Sequence, residues 1–251
     1  MIWITGDCHS DFRKFSTNAF PEQKEMNRDD CMIICGDFGG IWSYAGETKE
    51  EKYWLDWLEN KSYTTLFVDG NHECFPRLYS YPEKKWHGGL VHEIRPHVLH
   101  LCRGQVFEID GKKIFTFGGA RSHDIQGGVL ELDDPDIYKK KHELDRQGIC
   151  YRVNLVSWWK EEMPNAQEMA IGLMNLEENN YEVDYIVSHD APASTVALFG
   201  HGLYKTDELN EYLETVRQKT NYKRWFFGHY HYDWAVNDKN ILLFDQIIRI
   251  A

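Results

Sequence analysis

Short, almost wholly apolar runs punctuate the chain: MIWIT (1–5), CMIIC (31–35), TTLFV (64–68), VDYIVS (183–188) and RWFF (224–227). Runs of this length without polar alternation predict strands buried on both faces. Amphipathic stretches between them predict helices over 11–20, 48–60, 165–179 and 206–219. The third begins just after Pro164, and Thr206 stands at an N-cap position of the fourth. Strands alternating with helices predict a layered α/β fold. Two stretches break the rhythm. GQVFEIDGKKIFTFGG (104–119) reads as two alternating runs around Asp110-Gly111, a hairpin signal, and NDKNILLFDQIIRI closes the chain as a further strand. Together they predict a second, more antiparallel sheet. Residues 120–164, with RSHDIQGG, DDPD and SWWKEEMP, have weak periodicity and read as a long cap-like excursion within one domain spanning 1–251. Trp54 and Trp57, three apart on a helix, read as core, and Trp158 and Trp159 as packing.

With 251 residues, 42% of them hydrophobic, the chain can bury a substantial core. No apolar run is long enough to span a bilayer. The net charge of −12 argues against nucleic-acid binding by bulk attraction. It leaves room for an enzyme whose metal ions invert the charge locally. Six cysteines (Cys8, Cys31, Cys35, Cys74, Cys102 and Cys150) form no C-x-x-C pair, which speaks against a zinc ribbon and for small buried thiols. The chain opens as a strand running straight into a polar turn, so no secretory leader is expected, and free thiols suit a reducing cytoplasm.

The chemistry gathers where the apolar runs stop. TGDCHS supplies Asp7 and His9, CGDFGG supplies Asp37, and DGNHECF supplies Asn71 and His72. SHDAP supplies His189, and GHYH supplies His229 and His231. In open α/β folds ligands bind beyond the carboxyl ends of the strands, so all five clusters can meet on one edge. Alternate residues of extended chain point the same way, so D-x-H and H-x-H can reach one ion. Carboxylate with imidazole suits manganese, iron or zinc. One aspartate shared by two cations can hold them roughly 3.5–4 Å apart, the spacing of two-metal hydrolysis.

GDCH, GD, GNHE, SH and GHYH, in that order between residues 6 and 231, resemble the five motifs of the calcineurin-like metallophosphoesterases. The resemblance implies two facing mixed β-sheets flanked by helices, with two divalent ions at the strand ends. It implies Asp7, His9 and His231 on one ion, Asn71, His189 and His229 on the other, and Asp37 bridging both. His72 matches the family's catalytic histidine, beside the ions but not bound to them. The second motif reads GDFGGIW, and Ser10 follows His9, unlike the serine/threonine protein phosphatases of this superfamily. The resemblance is therefore to an unassigned bacterial or phage-type branch.

The expected function is hydrolysis of a phosphate ester by a metal-bridging hydroxide, with manganese as the expected metal and iron or zinc as alternatives. His72 would protonate the leaving oxygen or stabilise charge on the phosphoryl group. A phosphatase is expected, acting on a phosphorylated small molecule or phosphoprotein. A phosphodiesterase or nuclease acting on nucleotides, and a metal-free binding scaffold of the same fold, are the alternatives. No membrane partner is expected. Asp69 and Asp190 could orient ligand imidazoles. In the excursion, Arg121 and Arg152 are the candidates to grip substrate phosphate, with His123, Asp124 and Arg146 nearby in sequence.

Overall fold

The computed structural model describes residues 1–251. In chain order the elements are β1 (Ile2–Thr5), β2 (Cys31–Ile34), α1 (Lys49–Glu59), β3 (Thr64–Phe67), α2 (Phe75–Leu78), β4 (Glu83–Trp86), β5 (Gly89–Arg95), β6 (Val98–Leu101), β7 (Gln105–Ile109) and β8 (Lys112–Phe117). Then follow β9 (Val129–Leu130), α3 (Ile137–Gln147), β10 (Arg152–Val153), α4 (Ala166–Glu178), β11 (Tyr185–Ser188), α5 (Ala193–Gly200), α6 (Glu208–Lys219), β12 (Arg224–Phe227), β13 (Trp234–Ala235), β14 (Asn240–Leu242) and β15 (Ile247–Arg249).

Two large sheets face each other. The first has the order β15-β1-β2-β3-β6-β5-β4 and the second β13-β14-β12-β11-β8-β7. In the first, β1, β2, β3 and β6 run parallel, with Ile2 opposite Cys31 and Cys31 opposite Thr64. In the second, β14, β12, β11 and β8 run parallel. Both sheets end in antiparallel edge strands.

The period of two explains why the central strands are apolar throughout. Ile2, Ile4, Ile33, Leu66, Val187 and Phe226 point between the sheets into a shared core. Met32, Ile34 and Phe67 point the other way and pack against Leu55 and Leu58 of α1. Ile186, Trp225 and Phe227 do the same on the second sheet, against Leu176, Leu209 and Leu213 of its helices. Each central strand is buried on both faces, which is the condition for a non-alternating apolar run. The result is a helix–sheet–sheet–helix stack.

The structure corrects several sequence expectations. Residues 11–20 are not an α-helix: they hold one 3₁₀ turn at Arg13–Phe15 and lead into a second at Pro21–Glu25. Phe12, Phe15 and Phe20, whose spacing suggests a helical stripe, are buried side chains of a loop. Ser16 is extended, and Phe20 is driven from the helical region by the proline that follows it. The fourth helix is capped by Asp207, not Thr206: the Asp207 carboxylate accepts hydrogen bonds from the Leu209 and Asn210 N–H groups at 2.9 and 3.2 Å. The second sheet is as mixed as the first, because the closing stretch divides into β14 in the second sheet and β15 in the first. Trp54 and Trp57 are only partly buried against the core. The excursion holds helix α3 and the parallel pair β9–β10, joined by a small cluster of Leu130, Ile137 and Val153. Only Ile137 of α3 is buried, which is why its periodicity is faint. No helix is long and apolar enough to cross a membrane.

Candidate metal centre

The loops after β1, β2, β3, β11 and β12 converge at one edge of the sandwich. Backbone bonds stitch the first two together: the N–H groups of Cys8 and His9 donate to the Asp37 carbonyl at 3.0 and 2.8 Å. Buried Glu73 fastens the second loop to the third, its carboxylate accepting from the N–H groups of Phe38 and Gly39 at 2.8 and 3.3 Å. Gly70 permits a close approach, since a Cβ there would lie 2.0 Å from Asp37 Oδ1. Gly36, at φ +97°, combines a left-handed backbone with contact to the His189 ring.

Side-chain donors gather into two groups that share one residue. Asp7, His9, Asp37 and His231 form the first, and Asp37, His189 and His229 the second. His9 Nε2 lies 2.8 Å from His231 Nε2 and 3.6 Å from Asp37 Oδ2, and His231 Nε2 lies 3.3 Å from Asp7 Oδ2. The other Asp37 oxygen, Oδ1, lies 3.3 Å from His189 Nε2. Asp37 therefore presents one oxygen to each group. Asn71 Oδ1 joins the second group at 3.3 Å from His189 Nε2.

Hydrogen bonds fix how these donors face. His189 Nδ1–H donates to the Cys35 carbonyl at 2.8 Å, which turns Nε2 inward toward Asp37. The His229 N–H donates to Asp7 at 3.1 Å. The Asn71 amide donates through Nδ2 to Ser122 Oγ at 3.3 Å, and Ser122 Oγ donates to Glu162 Oε2 at 2.6 Å, so the amide oxygen is the atom that faces His189. Burial opposes charge on His189, yet the Asp37 carboxylate outweighs it and pushes the imidazole up to about 10. Burial likewise opposes charge on Asp37, but His189 holds its carboxyl well below the usual range. Buried carboxylates that draw this strongly on the nearest imidazole form a pocket complementary to cations. Carboxylate, imidazole and amide oxygen are a hard-to-borderline donor set that fits two divalent ions such as manganese, iron or zinc.

His72 stands beside the centre. Its N–H donates to Asp37 Oδ1 at 2.9 Å, and its ring stacks on Trp42 at 5.5 Å between centroids. Its side-chain nitrogens belong to neither donor group. Arg152 Nη2 approaches His72 Nε2 at 3.4 Å while pairing with Asp124 at 2.6 Å. Arg121 lies elsewhere, paired with Asp207 at 3.0 Å and Glu208 at 2.7 Å on the flank of a cavity of about 500 Å³ that also touches His123 and His229. Arg146 pairs with Glu143 on the exposed face of α3.

Neither aspartate expected to orient a ligand imidazole does so. Asp69 is engaged by Arg103 at 2.5 Å and His100 at 3.0 Å, and Asp190 accepts from Tyr230 Oη at 2.5 Å. The orienting groups are instead the Cys35 carbonyl and the Ser122–Glu162 pair. A backbone carbonyl leaves no trace in a sequence pattern, and Ser122 and Glu162 meet only through the folding of the excursion. Trp159 of that excursion is fully buried and meets Trp42 edge to face at 4.9 Å.

The family of calcineurin-like phosphoesterases matches residues 1–233. The chain is 26% identical over 207 residues to lariat debranching enzyme A of Xenopus laevis, covering 77% of this chain and 33% of that protein. It is 26% identical over 145 residues to the lariat debranching enzyme of Danio rerio and 25% identical over 143 to that of Homo sapiens, covering 52% of this chain in each case. The chain thus spans a quarter to a third of the length of these relatives. With a match that runs through all five strand-end clusters, the chain belongs to the calcineurin-like phosphoesterases, a family of metal-dependent phosphoric ester hydrolases.

Proposed function

We propose that this chain hydrolyses phosphate esters at a dinuclear divalent-metal centre, held by Asp7, His9 and His231 on one side, Asn71, His189 and His229 on the other, and Asp37 between them. The observation that carries this reading is Asp37, with Oδ2 turned to His9 and Oδ1 to His189. When bound, two divalent ions supply Lewis-acid polarisation of the phosphoryl group and acidify a water. The chain's own residues do the rest. Arg152, beside His72, offers a guanidinium to a phosphoryl oxygen. Burial, with the positive fields of His9 and of this guanidinium against the pull of Asp37, holds His72 below its usual range. An anionic phosphoryl group that takes up the guanidinium frees Nε2 and favours its protonation, readying His72 to donate to the leaving oxygen. Trp42 packs against the imidazole and limits its rotation.

The net charge of −12, and an Arg152 already neutralised by Asp124, suit a small phosphate monoester better than a polyanion. That supports a phosphatase. The similarity to lariat debranching enzymes favours a second reading, a diester or nucleotide substrate. Turnover of p-nitrophenyl phosphate and bis(p-nitrophenyl) phosphate, with manganese and the purified chain, tests both. The monoester is the preferred substrate on the first reading and the diester on the second. Loss of turnover in Asp37→Asn is expected with either. Wild-type turnover in Asp37→Asn would remove the bridging role and the proposal with it.

A further inference from the structure

Lys14 lies in the 3₁₀ turn that follows the first ligand loop. A half-buried lysine ordinarily turns its head group to water, but this one turns inward. Its ammonium group donates to the carbonyls of Gly6 at 3.2 Å, Asp7 at 2.7 Å and Phe244 at 2.8 Å. An ammonium group has three N–H donors, so each one has a partner, and every partner is a carbonyl. Gly6 and Asp7 follow β1 of the first sheet, and Phe244 follows β14 of the second. The two backbones touch here, since a Cβ on Gly6 would lie 2.0 Å from the Leu243 carbonyl oxygen. Carbonyl oxygens that converge on one point repel one another, and a cation between them turns that repulsion into attraction. Thr5 Oγ1 adds a longer bond to the same Phe244 carbonyl at 3.5 Å.

Phe244 is also held from its other side. Its N–H and those of Asp245 and Gln246 donate to the Asp233 carboxylate at 2.7, 3.1 and 3.2 Å. Asp233 stands two residues past His231, and the Phe244 ring packs against the His231 imidazole at 5.0 Å between centroids. The buried Asp7 carboxylate in turn lies 3.3 Å from His231 Nε2. The contacts form a circuit from Asp7 through Lys14 to Phe244, and through Asp233 back to His231. Both ends of the circuit are ligands assigned above to the same ion.

We propose that Lys14 is a positioning residue for the ion that Asp7, His9 and His231 hold: it fixes the Asp7 backbone relative to His231 and so sets the affinity of that ion. This role rests on the dinuclear reading of the centre. Groups that orient metal ligands from outside typically contribute about 10–100-fold in affinity. The charge of Lys14 acts in the opposite sense, because a positive group behind Asp7 repels the ion. Positioning therefore predicts weaker binding when the ammonium group is removed, and charge alone predicts stronger binding.

Manganese titration of the chelator-treated full chain, followed by electron paramagnetic resonance, separates the two. Manganese ions that share a carboxylate give an exchange-coupled spectrum, whereas an isolated ion gives resolved hyperfine lines. Wild type is expected to develop the coupled spectrum. Lys14→Met keeps the apolar stem and removes the donors. It should need about 10–100-fold more manganese to reach the coupled spectrum, and show the isolated-ion spectrum below that concentration. Lys14→Gln, which keeps a donor for part of the carbonyl set, should fall between the two, and it carries the test if Lys14→Met does not fold. A coupled spectrum in the variants at the wild-type manganese concentration or a lower one would overturn the role, even if the metal-free melting temperature falls. A wild type that never develops the coupled spectrum would overturn the dinuclear centre itself, and this role with it.

Discussion

His9, Asp37, His229 and His231 have φ of 48°, 42°, 72° and 51°, the left-handed region that non-glycine residues rarely occupy. Such backbones cost on the order of 1–3 kcal/mol each and persist where function needs the geometry. His231 is half exposed, so its imidazole adds little packing. His231→Gly is therefore expected to leave the melting temperature of metal-free protein unchanged or raised while weakening metal retention. A fall of several degrees in the metal-free form would make the imidazole a structural group instead. The same scale separates the two arginines. Arg152→Ala should raise KM and leave metal content intact, whereas Arg121→Ala should change neither, since its guanidinium pairs with Asp207 and Glu208 away from His72. An Arg121 effect equal to that of Arg152 on a chromogenic ester would contradict this. His72→Asn should keep both ions and lose on the order of a hundred- to ten-thousand-fold on an alkyl ester. The loss should be far smaller on a nitrophenyl ester, whose leaving group needs no proton. If an ion is missing from that variant, His72 is a ligand. The residues brought together here were legible because each one ends an apolar run, where a strand stops and a loop begins. Ser122, Glu162, Trp42 and the Cys35 carbonyl were not, because their roles exist only through contacts between distant segments.

Elements were legible where one residue type dominates the choice. Both-face burial made the five central strands conspicuous, and Asp110-Gly111, with φ of 50° and 67°, turns the β7–β8 hairpin as the dipeptide suggests. Strands β4 to β6 were hidden because buried His92 and His100 occupy positions where apolar residues would mark the inward face. Helix α4 starts from a capping box in which the Asn165 side chain accepts from the Gln167 and Glu168 N–H groups, and Glu168 accepts from the Asn165 N–H. Asn165→Ala should cost about 1 kcal/mol, a loss of about 2–4 °C in melting temperature for a protein of this size. Helices α5 and α6 are joined by Glu214, which accepts from the N–H and Oγ of Ser194 at 3.1 and 2.6 Å and pairs with Arg217 at 2.6 Å. Partial burial works against its charge, but these partners prevail and hold it at about 2 against an ordinary 4.5. A depressed carboxyl stabilises the fold above its unfolded pKa and loses that contribution as pH falls through the folded value. Glu214→Gln should therefore melt below wild type at pH 7, with the gap closing between about pH 4.5 and 2. A gap independent of pH would mean that shape, not charge, joins the two helices.

At the scale of the whole molecule, the sandwich brings strand ends from both sheets to one edge. Asp7, Asp37 and Asn71 come from the first sheet, and His189, His229 and His231 from the second. Neither sheet alone carries a complete donor set, so the two-sheet stack is what creates the centre. The excursion closes one flank, reaching Asn71 through Ser122 and His72 through Arg152. The proposed function depends on Asp37 being shared between two ions. Anomalous scattering at the manganese absorption edge, from crystals of the full chain grown with manganese, tests that directly. The account predicts two peaks roughly 3.5–4 Å apart, each bonded to a different oxygen of Asp37, one with His9 and His231 and the other with His189 and His229. A single peak, two peaks that do not share Asp37, or a peak bonded to His72 would contradict it.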